Sequence, residues 1–259
     1  MMLPEARREA ILAYIRNVRN ATSEELSKKF KVTEETIRKD LKHLANQGFI
    51  IRTFGGAMIK DENDPSLDQR AVTNLEEKDA IARTASSLIG DNESIVLDAG
   101  STTIQLAKHI REDSDIVVVT NSLEIINIIS KIQGVTVIST GGTLRTKSMS
   151  FQGQLTEYTI QKYNIHKAFI SAKGVSLEEG VMDSNEFEAE IKRKMIDAAK
   201  EVILLADHTK FEKLTHVTIC PIDKVTTIVT DDKADPEMLQ VYKHHGIKVV
   251  IGKLENRNQ

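Results

Sequence analysis

The sequence predicts two domains. An N-terminal winged helix-turn-helix (three helices plus a β-hairpin) spans residues 1–60, and a C-terminal α/β domain with a largely parallel sheet spans 75–259, with a linker at 61–74. Three observations predict this. Helical periodicity runs up to Gly48 and gives way to two short β-prone runs. Composition then shifts to a polar, proline-bearing stretch, Lys60-Asp61-Glu62-Asn63-Asp64-Pro65-Ser66. From Leu75 onward, apolar runs of strand length alternate with helical patterns, as in a parallel sheet covered on both faces.

Pro4 suits the first turn of a helix reaching about Val18, with Ile11, Leu12, Ile15 and Val18 at helical spacing. Thr22 and Glu25 have capping-box spacing and open a second helix, with Leu26 and Phe30 on its buried face. After Lys31-Val32, Thr33 caps a third helix, with Glu34 and Glu35 in the first turn, where carboxylates favour the dipole. Ile37, Leu41 and Leu44 form its apolar stripe, and it stops at Gly48. Phe49 to Ile59 reads as a hairpin. In the second domain the expected strands are Ser94–Asp98, Ile116–Asn121, Val135–Thr140, Ala168–Ala172, Val202–Ala206, Thr226–Thr230 and Ile247–Ile251. The expected helices are Lys78–Ile89, Thr103–Ile110, Leu123–Lys131, Gln154–Tyr163, Glu186–Ala199 and Pro236–His245.

Several function classes are disfavoured. The lone cysteine, Cys220, rules out an internal disulfide or a cysteine-rich zinc site and reads as a small buried residue. His208, His216, His244 and His245 lack metal-ligand spacing, so no metal is expected. No run approaches the roughly 20 apolar residues of a membrane span, and the charged start lacks a signal-peptide core, so a cytoplasmic location is expected. Walker-type and Gly-x-Gly-x-x-Gly loops are absent, which disfavours a nucleotide cofactor. Ser101, Ser122 and Ser171 lack a Gly-x-Ser-x-Gly elbow, which disfavours serine hydrolysis.

The net charge of −3 hides an asymmetry. Residues 1–60 carry 12 Lys and Arg against 7 Asp and Glu, and the remainder carries 23 against 31. A basic head suits a phosphate backbone, and an acidic body avoids nonspecific DNA. On the third helix, Glu35, Lys39, Lys42 and His43 face away from the apolar stripe, with Thr36 and Arg38 flanking. Arg38 and Lys39 suit guanine edges or phosphates, Thr36 a phosphate or a methyl, and Arg52 sits in the hairpin, where a wing meets the backbone. Asp40, beside the stripe, reads as structural, orienting a basic neighbour.

The run Phe30-Lys31-Val32-Thr33-Glu34-Glu35-Thr36-Ile37-Arg38-Lys39-Asp40-Leu41, with Leu44, Gly48 and Arg52…Gly55-Gly56-Ala57, resembles the DeoR family of bacterial regulators, and the likeness extends to about residue 232. The resemblance implies that this run is the turn and recognition helix. Thr33, Glu35, Thr36, Arg38, Lys39, Lys42, His43 and Arg52 are the DNA-contacting candidates.

Glycine-bearing polar loops follow three expected strands: Asp98-Ala99-Gly100-Ser101-Thr102-Thr103, Thr120-Asn121-Ser122 and Thr140-Gly141-Gly142-Thr143-Leu144-Arg145. Ligands of open α/β sheets bind at the carboxyl ends of strands, and helix N-termini offer N–H groups to anions. Gly100, Ser101, Thr102 and Thr103 therefore form a candidate phosphate cradle, supplemented by Asn121, Ser122, Gly141, Gly142 and Arg145. The stretches Ala168–Val175, Glu186–Met195 and Leu204–Phe211 resemble the family's sensor domain, which is similar to ribose-5-phosphate isomerase and binds phosphorylated sugars. The resemblance implies that Asp98, Lys173, Glu188, Asp207 and Lys210 line the sugar end. It also implies a repressor lifted by a sugar phosphate, with no other cofactor. A homodimer or homotetramer on a two-fold-related operator is the expected assembly. The alternative is a sugar-phosphate isomerase with a DNA-binding head, its base drawn from Glu186, Glu188, Asp98 or Lys173.

Overall fold

The computed structural model describes residues 3–18, 20–47, 49–52, 55–59 and 65–254. The chain divides into two compact units, Met1–Asp64 and Pro65–Gln259. The expected helix stop at Gly48, the hairpin residues Thr53 and Phe54, and linker residues Lys60 to Asp64 lie outside the described residues.

The first unit runs α1 (Pro4–Val18), β1 (Asn20–Thr22), α2 (Ser23–Phe30), α3 (Glu34–Asn46), β2 (Ile50–Arg52) and β3 (Gly56–Ile59). The strands form an antiparallel sheet in the order β1-β3-β2. Strand β1 was not expected from the sequence. It is three residues long, too short for a period of two to register. Ile11, Ile15, Leu26, Ile37, Leu41, Leu44 and Ile50 close one core. Val18, expected on the apolar face, is exposed, and Phe30 is half-buried with its ring edge-on to Tyr14. The capping box forms as read: the Glu25 amide donates to Thr22 Oγ1 at 3.1 Å and the Thr22 amide to Glu25 Oε2 at 2.8 Å. Thr33 Oγ1 accepts from the Thr36 amide at the start of α3.

Asp40 fixes α3 against α1. Its carboxylate is 1% exposed and accepts from Arg7 Nε at 2.6 Å and Arg8 Nε at 2.9 Å. A charge this buried is tolerated only when paired and hydrogen-bonded.

The second unit opens with α4 (Leu67–Val72) and α5 (Leu75–Ser86), followed by β4 (Ser94–Leu97), α6 (Ser101–Ala107), β5 (Ile116–Thr120), α7 (Leu123–Ile129) and β6 (Val135–Ser139). A hairpin, β7 (Thr143–Arg145) and β8 (Ser150–Gln152), precedes α8 (Gln154–Gln161) and β9 (Ile165–Ser171). Then come β10 (Gly174–Ser176), β11 (Gly180–Asp183), α9 (Glu186–Ala198), β12 (Ala199–Leu205), β13 (Val217–Cys220), β14 (Thr227–Asp231), α10 (Pro236–His244) and β15 (Lys248–Gly252). Among the described residues, seven strands form one sheet, ordered β15-β14-β12-β9-β4-β5-β6, and every pairing in it is parallel. The period of two sends Val96, Ala168 and Ile170 into the core on one face and Ile95, Leu97 and Phe169 into the core on the other.

Chain order reverses between β4 and β9. Strands β5 and β6 continue on one side, and β12, β14 and β15 on the other. A crevice at the carboxyl ends of β4 and β9 is the consequence. Two further differences from the sequence reading lie in this unit. The expected linker 61–74 contains α4, which belongs to the second unit. The β7–β8 hairpin and the small antiparallel sheet β10-β11-β13 add to the parallel sheet. Among the described residues no helix is long and apolar enough to cross a membrane.

The Asp40→Ala variant strands Arg7 at a site where its side chain is 10% exposed. It is expected to cost the first unit about 3 kcal/mol, read as a lowered first transition in calorimetry of the full chain. An unshifted transition would show that the pairing contributes nothing.

Candidate functional site

The candidate DNA face is the outer side of α3 with β2. Glu35, Arg38, Lys39, Lys42 and His43 are exposed, as are Thr33 and Arg52, and Thr36 is half-buried. In the free protein Arg38 rests on Glu34 at 3.1 Å and Lys39 on Glu35 at 3.7 Å, both across one helical turn. These pairs are solvent-exposed, with Arg38 57% and Lys39 75% accessible, so each holds its cation only weakly. Helix α3 therefore presents mobile cations on a base fixed by its buried stripe.

In the second unit, Asp98 lies at the reversal point, just past β4, and is 1% exposed. Its Oδ1 accepts from Thr103 Oγ1 at 2.7 Å and the Gly100 amide at 3.1 Å. Its Oδ2 accepts from the Ser171 amide at 3.0 Å and Ser171 Oγ at 2.9 Å. Gly100 is required here, because a Cβ would lie 1.8 Å from Ser171 Oγ. Lys192 of α9 completes the cluster: its Nζ donates to Asp183 Oδ2 at 2.6 Å and Ser171 O at 2.7 Å, and lies 3.3 Å from Asp98 Oδ2. Burial alone would lower the Lys192 pKa, but Asp183 and Asp98 outweigh it and hold the ammonium well above its ordinary range. Burial would likewise raise Asp183, and Lys192 and Lys173 pull it below the usual carboxylate range.

Above this cluster a narrow cleft is lined by Arg70, Asp98, Gly100, Asn121, Ser150, Glu188 and Lys192. Of the residues expected at the effector site it brings together Asp98, Gly100, Asn121 and Glu188. Ser101, Thr102 and Thr103 form the first turn of α6, ahead of its first backbone bond, Ile104 N to Gly100 O. Ser122 is buried as the cap of α7 and accepts from the Ile125 amide. Arg145 donates to Glu188 at 2.7 Å and to Ser148 Oγ at 3.0 Å. Gly141 and Gly142 shape the turn into the β7–β8 hairpin, where the sequence suggested a third loop opening on the crevice. Gly142 sits at φ +116°, and a Cβ there would meet Thr156 Oγ1 at 2.3 Å. Lys173 reaches Ser184 Oγ at 3.4 Å.

Asp207 and Lys210 belong to a second group outside that lining. Asp207 accepts from Thr209 and from Asn74 Nδ2, and Lys210 Nζ lies 3.6 Å from it. Nearby, buried Lys78 donates to the backbone carbonyls of Arg70 and Thr73. Burial, opposed by Asp207 and reinforced by Lys210, pushes the Lys78 pKa down to about 8.

The comparisons with known proteins bear on both units. A model of the DeoR-like helix-turn-helix domain matches residues 7–63, and one of the DeoR C-terminal sensor domain matches residues 73–232. The chain belongs to the DeoR family. An uncharacterized HTH-type transcriptional regulator, YulB of Bacillus subtilis, is 35% identical over 99% of this chain and 100% of its own. A putative aga operon transcriptional repressor of Escherichia coli O157:H7 is 31% identical over 95% and 93%. The HTH-type transcriptional repressor GlcR of B. subtilis is 31% identical over 96% and 97%. Among solved structures, ribose 5-phosphate isomerase A of Methanocaldococcus jannaschii overlaps 54% of this chain and 55% of that one at 16% identity and TM-score 0.40, too loose a likeness to inform the site.

In this DeoR-family sensor domain, sequence reasoning missed Arg70, Ser150, Asp183 and Lys192. Lys192 stands one residue past Ile191 on the α9 face that turns inward, and a lysine at an inward position is the signal that was available. Arg70 fell in the expected linker.

The buried cluster sets a pH signature. A carboxylate with a depressed folded pKa stabilises above its unfolded value, about 3.9, and that stability is lost as pH falls through the folded value. Lys192, raised, stabilises below about 10.4 and loses that contribution at higher pH. Lys192→Met takes from Asp183 and Asp98 the ammonium they share and is expected to cost about 3–5 kcal/mol near neutrality. The gap to wild type is expected to narrow in acid, because in the variant burial without Lys192 raises the Asp183 pKa and the carboxyl becomes neutral while the wild-type one is still charged. Denaturant titrations at pH 7 and pH 4 check this, and a gap that stays constant would contradict it.

Proposed function

We propose that the protein is a repressor of a carbohydrate-metabolism operon, released from its operator by a phosphorylated sugar. One observation carries this reading: a single DeoR-family chain joins an exposed basic recognition helix to a sensor domain whose reversal-point cleft is lined with charged groups of both signs, Arg70 and Lys192 against Asp98 and Glu188, and with hydrogen-bonding groups. The relatives named for aga operon repression and GlcR repression support the direction of control. The protein acts as a homodimer or homotetramer in the cytoplasm, because a short recognition helix gains affinity by reading two half-sites. The sugar phosphate is its effector, and no cofactor is required.

The non-enzymatic reading rests on the state of the candidate bases. Asp98 has both oxygens occupied by internal donors. Glu188 is held by Arg145 and Glu186 by Arg193, and Lys173 reaches Ser184 Oγ. An isomerase base needs a free lone pair within reach of the carbon acid.

Two measurements test the proposal. Thermal unfolding against a panel of sugar phosphates, each paired with its parent sugar, is expected to give a rise of roughly 5–10 °C for one phosphate at 100 times its Kd and none for the parent sugar. No rise across the panel would remove the effector. On a duplex selected from random sequence by the protein itself, Arg38→Ala is expected to cost about 1–3 kcal/mol, and Lys39→Ala to reduce the salt slope by about one. Unchanged affinity and slope in both would remove α3 from the interface.

A further inference from the structure

Helix α4 is fastened to the sensor unit at both ends. Its first amide, Leu67 N, donates to Lys147 O at 2.9 Å. Its last turn is gripped by Lys78, whose ammonium takes the carbonyls of Arg70 and Thr73. Ser66 and Gln69 form a capping box at its start, and Leu67 is buried. This short helix follows directly on the segment leading from the DNA-binding unit, yet it sends Arg70 into the cleft beside Gly100, Asn121 and Ser150.

Arg70 Nε is buried with no hydrogen-bond partner. Glu188, the carboxylate in the same cleft that is nearest in kind to a partner, is committed to Arg145. An unsatisfied guanidinium N–H costs free energy unless something arrives to accept from it. Asn121 supplies the complementary vacancy. It is 4% exposed, its Nδ2 donates to Phe151 O at 3.0 Å, which fixes the amide orientation, and its Oδ1 has no donor. One cleft thus holds an unmet cationic donor and an unmet neutral acceptor. A ligand carrying an anionic oxygen and a hydroxyl satisfies both.

We propose that Arg70 binds the anionic group of a polyhydroxylated phosphate monoester while Asn121 Oδ1 accepts from one of its hydroxyls, so that occupancy of the cleft is transmitted through α4 to the chain entering the sensor unit. This rests on the sugar-phosphate reading above and adds the residue that couples the ligand to the linker. An anion held by Arg70 adds a third tie to those from Lys78 and Lys147 O, so the bound ligand favours the position of α4 seated on the sensor unit. The ligand's preference for one position of α4 is the differential affinity that any allosteric shift requires.

The test uses the full-length protein with ribose 5-phosphate, glucose 6-phosphate, glycerol 3-phosphate and inorganic phosphate as probes, in wild type, Arg70→Gln, Arg70→Lys and Asn121→Asp. The strongest probe for wild type is expected to bind Arg70→Gln 10- to 100-fold more weakly. Arg70→Lys, which keeps charge but loses the fork, is expected to fall between. Asn121→Asp, which places a carboxylate by the anion, is expected to lose binding as well. Without ligand, the melting temperature of Arg70→Gln is expected to match or exceed that of wild type, because an unpaired buried donor is removed. A purely structural arginine would lower it. Wild-type ligand affinity in both Arg70 variants would overturn this proposal and leave the effector reading standing. No binding of any probe to wild type would overturn both. A ligand-free Arg70→Gln that melts well below wild type, with Arg70→Lys binding normally, would assign Arg70 to structure alone.

Discussion

The sensor domain is organised around one ammonium group. Lys192 binds Asp183 at the end of β11, the Ser171 carbonyl at the end of β9, and Asp98 just past β4. These elements come from sequence positions far apart; the parallel sheet brings the carboxyl ends of β4 and β9 together, and β11 belongs to the small antiparallel sheet, so the sheets alone do not fix the loops. The charge cluster fixes them. Its desolvation is offset only while all partners are present, so the loops at the reversal point hold one arrangement. Asp98, saturated by this network, pins the Gly100 loop and the first turn of α6 in turn. The DNA-binding unit uses the same device on a smaller scale, with Asp40 holding Arg7 and Arg8 between α1 and α3.

The buried charges that shape the two units have their partners. Among the described residues, unpartnered buried side-chain atoms include Arg70 Nε and Asn121 Oδ1 on the cleft lining, and Gln152 Nε2, Asp207 Oδ2 and Thr230 Oγ1 outside it. Groups that have given up water without a replacement mark where a ligand recovers the loss. The cations of α3 differ: exposed and only loosely paired with Glu34 and Glu35, they leave those partners at little cost.

Much of this was legible in the sequence. All seven strands of the parallel sheet showed as apolar runs, because strands buried on both faces need no alternation to be seen. Thr22 and Thr33 announced their helices through cap chemistry, and Asp40 announced itself as a carboxylate beside an apolar stripe. Elements of three residues, such as β1, β7 and β10, carry no measurable period. Helix α4 was hidden because the polar stretch with Pro65 reads as a linker, and its single buried leucine, Leu67, forms no stripe. Arg70 was missed with it. Lys192 was missed because a lysine on a charged helix reads as solvated until the fold shows which side faces inward. The loop glycines were read as parts of a phosphate cradle, and only tertiary packing distinguishes Gly100, which admits Ser171, from Gly142, which turns into a hairpin.

The central claim is that cleft occupancy and operator binding are alternatives coupled through one chain. Thermodynamic reciprocity makes it measurable from the ligand's side. The direct measurement is calorimetric titration of the effector sugar phosphate into the protein, free and saturated with its selected operator duplex. The account predicts affinity weaker on the operator-bound protein by about 5- to 150-fold. Equal affinities in the two titrations would contradict it, leaving a protein that binds DNA and a sugar phosphate without linking them.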